Sequence, residues 1–273
     1  MPNAHLNKTE LFYVSVGKGI PCLVMHGGLG LDHSYLHPWL DPLGDLLELV
    51  YYDHRGHGRS GRPPIETLTH EQFCEDADAL RHHLGFNRMA VIGHSYGGFI
   101  ALEYAVRHPE RVSRLILIDT APAYNYGAEI RENLKRRHPT DEMPAALRRP
   151  APSSDSELER LFSKILPLYF HNYNAELAHR LFEQTIWSAS AAACNERLLR
   201  GYDVRSQLSK ITARTLIMVG KHDFICPLSQ ARLLHEGIPN SELIVFQESA
   251  HFPYVEEPDA FFAGVRNWLS LGR

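Results

Sequence analysis

Along the chain, short continuous apolar runs alternate with stretches whose apolar residues recur at helical spacing. Residues 11–16 (LFYVSV) predict an early strand at a sheet edge. Residues 21–25 (PCLVM) predict a strand ending at His26-Gly27-Gly28, and 47–52 (LELVYY) one ending at Asp53. Further strands are predicted at 88–92, 114–118 (RLILI), 215–219 (TLIMV) and 243–246 (LIVF). Between them, 69–84 carries Phe73, Ala77, Leu80 and Leu84 at helical spacing, with Thr69 and Gln72 in capping-box positions and Gly85 as a stop. Residues 96–107 predict a helix stopped before Pro109, and 258–269 a closing helix with Phe261, Phe262, Val265, Trp268 and Leu269 on one side. Runs that are apolar throughout belong to strands covered on both faces. Strands alternating with helices then predict a parallel sheet between helical layers. Ligands of such sheets sit beyond the carboxyl ends of the strands, so the residues just after each strand matter most.

One segment breaks the alternation. Between about 123 and 206 no strand is predicted, and 155–169, 175–187 and 190–202 read as helices. Before them lies KRRHPTDEMPAALRRPAPSSD, which reads as a solvated, mobile loop. Its interspersed acids and missing aromatics argue against a nucleic-acid patch. The expected organisation is a core of residues 1–122 and 207–273, with residues 123–206 inserted as a helical cap.

Composition narrows the class. A chain of 273 residues, 44% hydrophobic, suits one large domain or a core with an insertion. A net charge of -4 carries no basic bias towards nucleic acid or an anionic membrane. Cys22, Cys74, Cys194 and Cys226 are dispersed as in a reduced cytosolic protein. The segment MPNAHLNKTE has no signal-peptide core, and no apolar run reaches transmembrane length. A cytoplasmic protein with no nucleic-acid or membrane partner is therefore expected. The adjacent His82 and His83 point apart on a helix, and neither HExxH nor a His/Cys pair at zinc spacing occurs. No metal or cofactor is expected.

The chemistry starts at Gly93-His94-Ser95-Tyr96-Gly97, a G-x-S-x-G pentapeptide between a predicted strand and a predicted helix. A serine on so sharp a turn needs very small residues two positions before and after it, and the turn exposes its Oγ at the helix N-terminus. The alternative is a glycine turn carrying a solvent-facing serine. Serine is a poor nucleophile without a base, and the base needs an acid to orient it. His251, after the last predicted strand, is the leading base, ahead of His94, His26, His57 and His222. Of these, His94 is expected to point away from the nucleophile. Asp223, after TLIMV, is the leading acid, with Asp119 and Asp203 as rivals. An oxyanion hole would use the N–H groups of Tyr96 and Gly28, with Leu29 as the alternative to Gly28.

Taken together, HGGLG, YYDHRGHGRS, GHSYGG, GKHDFICP and SAHFPYVEEP resemble the α/β-hydrolase superfamily across nearly the whole chain outside the insertion. The resemblance implies a mostly parallel sheet of about eight strands with a helical cap. It also implies that Asp53 and Arg55 shape a loop instead of performing chemistry. HGGLGLDHSYL and YYDHRGHGRS are similar to the proline iminopeptidase branch. That branch usually has proline after the paired glycines and tryptophan after the nucleophile, where this chain has Leu29 and Tyr96. The implied activity is hydrolysis of a small-molecule carboxylic ester or lactone, acyl-homoserine lactones included. The alternatives are a prolyl aminopeptidase, which would need cap carboxylates such as Glu129, Glu132 or Glu183, a perhydrolase, a carbon–carbon bond hydrolase, and a hydrolase fold reused for binding. Phe170, Phe182, Trp187 and Tyr169 are expected in the cap, as its core or as substrate lining. Oligomeric state is left open.

Overall fold

The computed structural model describes residues 3–137 and 152–271. Most of the expected charged and proline-rich loop therefore lies outside the described residues. Eight strands form one sheet: β1 (Asn3–Leu6), β2 (Thr9–Val16), β3 (Ile20–Met25), β4 (Leu47–Tyr52), β5 (Met89–His94), β6 (Val112–Ile118), β7 (Arg214–Gly220) and β8 (Ser241–Phe246). Their order is β1-β2-β4-β3-β5-β6-β7-β8. The pairs β1–β2 and β2–β4 are antiparallel, and every other pair is parallel.

β1 lies outermost but pairs only with residues 9–12 of β2, so of the predicted edge strand 11–16, residues 13–16 pair with β4 alone and residues 11 and 12 are covered by β1. Asn7 and Lys8, at φ 47° and 63°, turn β1 back onto β2. A turn with two successive positive φ values matches the twist of a tight hairpin. The chain's polar start hid a strand of which only Ala4 is buried.

Helices cover both faces. Thr69 caps α1 (His70–His83) by accepting from Gln72 N at 3.1 Å, and Gly85 follows it at φ 75°. α2 (Tyr96–Arg107) follows β5 and is buried along most of its length. Beyond β6 the next strand begins at Arg214, and among the described residues the intervening stretch is helical or irregular. An isolated antiparallel bridge between Ala123 and Asp203 closes its neck. Tyr124 N donates to Tyr202 O at 3.0 Å and Val204 N to Pro122 O at 2.8 Å across the same neck.

Among the described residues the insertion has helices α3 (Gly127–Arg137), α4 (Asp155–Ile165), α5 (Ala175–Phe182), α6 (Ala189–Ala192) and α7 (Asn195–Leu199), and those that the sequence pattern marks are shorter than it suggests. The 155–169 helix ends at Ile165, and Pro167 sits in a 3-10 turn, Leu166–Tyr169. The 175–187 helix stops at Phe182, and Ile186 N is instead taken by the Asp32 carboxylate at 3.0 Å. α8 (Leu228–Gly237) makes the crossover from β7 to β8, and α9 (Pro253–Glu256) precedes α10 (Pro258–Ser270). The sequence pattern had marked neither α3 nor α8. All four cysteines are buried free thiols. Among the described residues no helix is long and apolar enough to cross a membrane.

Candidate active site

Ser95 caps the joint between β5 and α2 at φ 54°, ψ -121°, a conformation that side chains rarely adopt. Three bonds hold it there. Ser95 N donates to Ile118 O at 2.9 Å, while its carbonyl accepts from Gly98 N at 2.9 Å and from Thr120 Oγ1 at 2.8 Å. The neighbouring glycines are required by space. A Cβ on Gly93 would come within 2.7 Å of Gly98 Cα and Ala101 Cβ, and one on Gly97 would collide with the carbonyl oxygens of Met25 and His26. The helix thus packs directly on the end of β3, which leads into His26-Gly27-Gly28.

Asp223 and His251 come together, with Asp223 Oδ2 and His251 Nδ1 2.7 Å apart. Both are buried. Asp223 Oδ1 accepts from Ile225 N at 2.8 Å and Cys226 N at 3.0 Å, so each carboxylate oxygen is assigned. Burial pushes this carboxyl up, but the charge and hydrogen bond of His251, aided by the two N–H groups, outweigh it and hold Asp223 below the ordinary carboxylate value. An ionised acid at Nδ1 leaves Nε2 as the imidazole's basic nitrogen.

The rivals are placed elsewhere. Asp203 is exposed and paired with Arg205 at 2.5 Å. Asp119 is buried at the end of β6, where Oδ1 accepts from Gly220 N at 2.9 Å. Burial, and then the charge of neighbouring Asp223, push its carboxyl well above the usual range. His26 is bonded to Gly27 O and His54 N, His57 to Arg55 O, and His222 to Gln247 O.

His94, flanking Ser95, is packed beside His251. Its ring lies 4.7 Å from that of His251, centroid to centroid. Gly27 N donates to Tyr35 Oη at 2.5 Å, and that hydroxyl meets His94 Nδ1 at 2.9 Å. His94 Nε2 lies 2.9 Å from His251 O. With Tyr35 donating to Nδ1, His94 carries its proton on Nε2 and donates to the His251 carbonyl. Burial, and then His251, lower the His94 pKa to about 3, so it serves as a neutral strut. The elbow, the glycine loop and the base are thereby bonded through one buried pair, Tyr35 and His94. GHS and HSY contained both residues, but no local pattern links positions 59 apart.

The glycine loop lies against the elbow, since a Cβ on Gly27 would come within 2.8 Å of Ser95 Cβ. Gly28 follows at φ 54°, and Tyr96 N belongs to the first residue of α2. First-turn helix N–H groups have no intrahelical acceptor, which leaves Tyr96 N–H available to an anion. The Tyr96 side chain points into the core, where its hydroxyl meets His70 Nε2 at 3.0 Å. Leu29 is half-buried against the core.

On the side of the segment between β6 and β7 the surroundings of His251 are aromatic. The Tyr169 ring is 5.2 Å from the imidazole, and Phe224 stands 5.1 Å beyond Tyr169. Phe162 touches Tyr169, Phe182 and Trp187 at 5.6, 5.1 and 5.3 Å. Phe170 packs on Phe252 at 5.1 Å. Glu129 is taken by Ser229 Oγ at 2.7 and 2.8 Å, while Glu132 and Glu183 are exposed.

Among the described residues, two groups of side chains are close enough to share an ion: Asp223, Cys226 and His251, and Asp32, His33 and Asp53. The first is the bonded Asp223–His251 pair with a thiol that burial keeps well above its ordinary pKa. In the second, His33 Nδ1 meets Asp53 Oδ1 at 2.6 Å and Asp32 holds Ser34 and Ile186, so hydrogen bonds already occupy it. Arg55 makes a buried pair with Asp76 at 2.5 and 2.6 Å, which fixes its loop.

Residues 21–258 match the family model described as alpha/beta hydrolase fold. The proline iminopeptidase PfmaB of Pestalotiopsis fici is 29% identical over 275 residues, covering 97% of each chain. An esterase from Exiguobacterium antarcticum superposes with a TM-score of 0.78 at 26% identity, over 97% of each chain. The enol-lactonase from Burkholderia xenovorans LB400 gives a TM-score of 0.77 at 26% identity, over 98% of this chain and 100% of that one.

Proposed function

This chain belongs to the alpha/beta hydrolase fold family, and we propose that within it the protein hydrolyses an uncharged carboxylic ester or lactone through an acyl-enzyme on Ser95. Ser95 Oγ attacks the carbonyl carbon while His251 Nε2 takes its proton. Tyr96 and Gly28 N–H groups receive the charge on the carbonyl oxygen. The intermediate collapses, the C–O bond breaks, and His251 returns the proton to the leaving oxygen. Water deprotonated by His251 then attacks the acyl-enzyme, and Ser95 regains its proton as the acid departs. Asp223 orients the imidazole and stabilises its charged form. Residues 123–206 act as the cap over this centre, and the site recruits neither metal nor cofactor for these steps.

The observation that carries the reading is the orientation of Asp223 and His251 beneath an aromatic cap wall. The esterase and lactonase likenesses support it. Prolyl aminopeptidase activity is the second reading, favoured by the relative PfmaB. It would need a carboxylate for the substrate's amine, and the three considered are bound to Ser229 or exposed. Turnover of short-chain p-nitrophenyl esters, a γ-lactone and a prolyl anilide separates the two. Esters and lactones should react, and Ser95→Ala should remove that turnover. Turnover of the anilide alone would transfer the assignment to the aminopeptidase.

A further inference from the structure

The strip of cap that walls the site is bonded to the loops carrying the acid and the base at five consecutive residues. Arg137, at the end of α3, donates from Nη1 to Leu168 O at 3.0 Å and from Nη2 to Phe170 O at 2.5 Å. The same guanidinium donates from Nη1 to His222 O at 2.7 Å, the carbonyl just before Asp223. Between those two cap carbonyls, Tyr169 O accepts the backbone N–H of His251 itself at 2.9 Å. The next two cap residues turn their N–H groups to Glu256, with His171 N at 2.7 Å and Asn172 N at 3.1 Å from Oε1. Glu256 Oε2 accepts from Ala250 N at 2.8 Å, one residue before the base.

We propose that Arg137 and Glu256 are positioning residues, a clamp that makes cap residues 168–172 a fixed wall of the Ser95–His251–Asp223 centre. Arg137 spans two cap carbonyls and the acid loop, a task suited to a planar fork with several N–H donors and poorly suited to a single ammonium. Glu256 spans two cap amides and the base loop. The acid and base loops are also joined directly, His222 N donating to Ser249 O at 3.0 Å. With His94 holding the His251 carbonyl, the main chain of the base is fixed by its N–H to the cap and by its C=O to the elbow. Loss of the clamp would free both loops without removing any group that touches substrate. The consequence belongs to turnover more than to binding.

This inference rests on the proposed roles of Ser95, His251 and Asp223, and the test separates the two. The full chain is assayed with an ester it turns over, as Arg137→Lys, Arg137→Ala, Glu256→Gln and Ser95→Ala, each checked for folding by circular dichroism. A misplacement near 1 Å costs about a hundredfold in rate, so the expected fall in kcat is roughly ten- to a hundredfold with KM within about threefold. Guanidinium ion should restore part of the turnover of Arg137→Ala and leave the wild type unchanged. Wild-type kcat in a folded clamp variant, a loss carried wholly by KM, or no rescue by guanidinium would overturn the clamp. Should neither Arg137 variant fold, Glu256→Gln is judged on the kcat and KM criteria alone. If Ser95→Ala retains turnover, the hydrolytic reading has failed; if only the clamp variants do, the clamp alone has failed.

Discussion

At the scale of single residues, two buried aspartates share one corner and carry opposite charge preferences. Asp223 is satisfied as an anion by His251 and two N–H groups, whereas Asp119 has one oxygen on Gly220 N and a buried Oδ2 beside Asp223. Two adjacent buried carboxyls seldom ionise together, and of the two it is Asp119 whose protonated form burial and the charge of Asp223 favour. An unfolded aspartate ionises near pH ~3.9. Folded Asp119, raised above that, contributes its full stability below the unfolded value and loses it as pH rises towards its own folded pKa. Asparagine reproduces the protonated carboxyl, with C=O to Gly220 and NH₂ to Asp223, and it tolerates the positive φ of 44° found here. In thermal melts, Asp119→Asn should therefore gain on the wild type as pH rises above about 4, with turnover kept within about fivefold. Asp223→Asn should lower kcat by roughly 10³–10⁴-fold, because the imidazole loses the acceptor that sets its tautomer. Parallel melting curves across pH would reject a proton on Asp119, and a larger kcat loss in Asp119→Asn than in Asp223→Asn would reverse the assignment of the acid.

At the scale of elements, the elbow is a packing problem before it is a catalytic one. Gly93 lies under Gly98 and Ala101, and α2 sits on the end of β3 at Gly97. Gly93→Ala should cost about 1–3 kcal/mol in chemical denaturation, the usual price of overfilling a packed interface. Turnover should fall further, since the displaced helix carries Tyr96 N; a stability loss with unchanged kcat would disconnect elbow packing from catalysis. That elbow was legible in the sequence because strand, turn and helix each announce themselves within a few residues. The central strands were legible for the same reason, being apolar throughout. β1 was not, since four residues with one buried side chain make too short an alternation. The cap helices were overextended because helical spacing of apolar residues continues past Ile165 and Phe182, while Pro167 and the Asp32–Ile186 bond end the helices. Asp223 and His251 could be chosen from their strand-end positions. Tyr35, Arg137 and Glu256 could not, because their roles arise from partners 59, 85 and 85 residues away.

At the scale of the whole molecule, the insertion joins the core unevenly. Its neck is pinned by the Ala123–Asp203 bridge, Ser188 N is bonded to Gly30 O at 2.9 Å, and residues 168–172 are held at the base and acid loops. The first cap helix after the undescribed stretch, α4, has no buried residue among Asp155–Ile165. Local opening follows such differences in burial and tertiary bonding, so one insertion should contain two classes of amide. Hydrogen exchange read by mass spectrometry on the native protein resolves them. Peptides covering 155–165 should exchange early, while His171, Asn172, Ile186 and Ser188, whose N–H groups are bonded across to Glu256, Asp32 and Gly30, should exchange with the core. The same pattern should survive addition of a serine-directed phosphonate, with protection gained chiefly in 155–165 as the adduct packs under Leu158 and Phe162. Leu158 lies over the glycine loop, within 2.7 Å of where a Gly30 Cβ would stand, so that helix is the part of the cap placed to report an occupied site. Uniform exchange across 123–206 would instead mean that the insertion opens as one body, and the aromatic wall would then leave His251 whenever substrate enters.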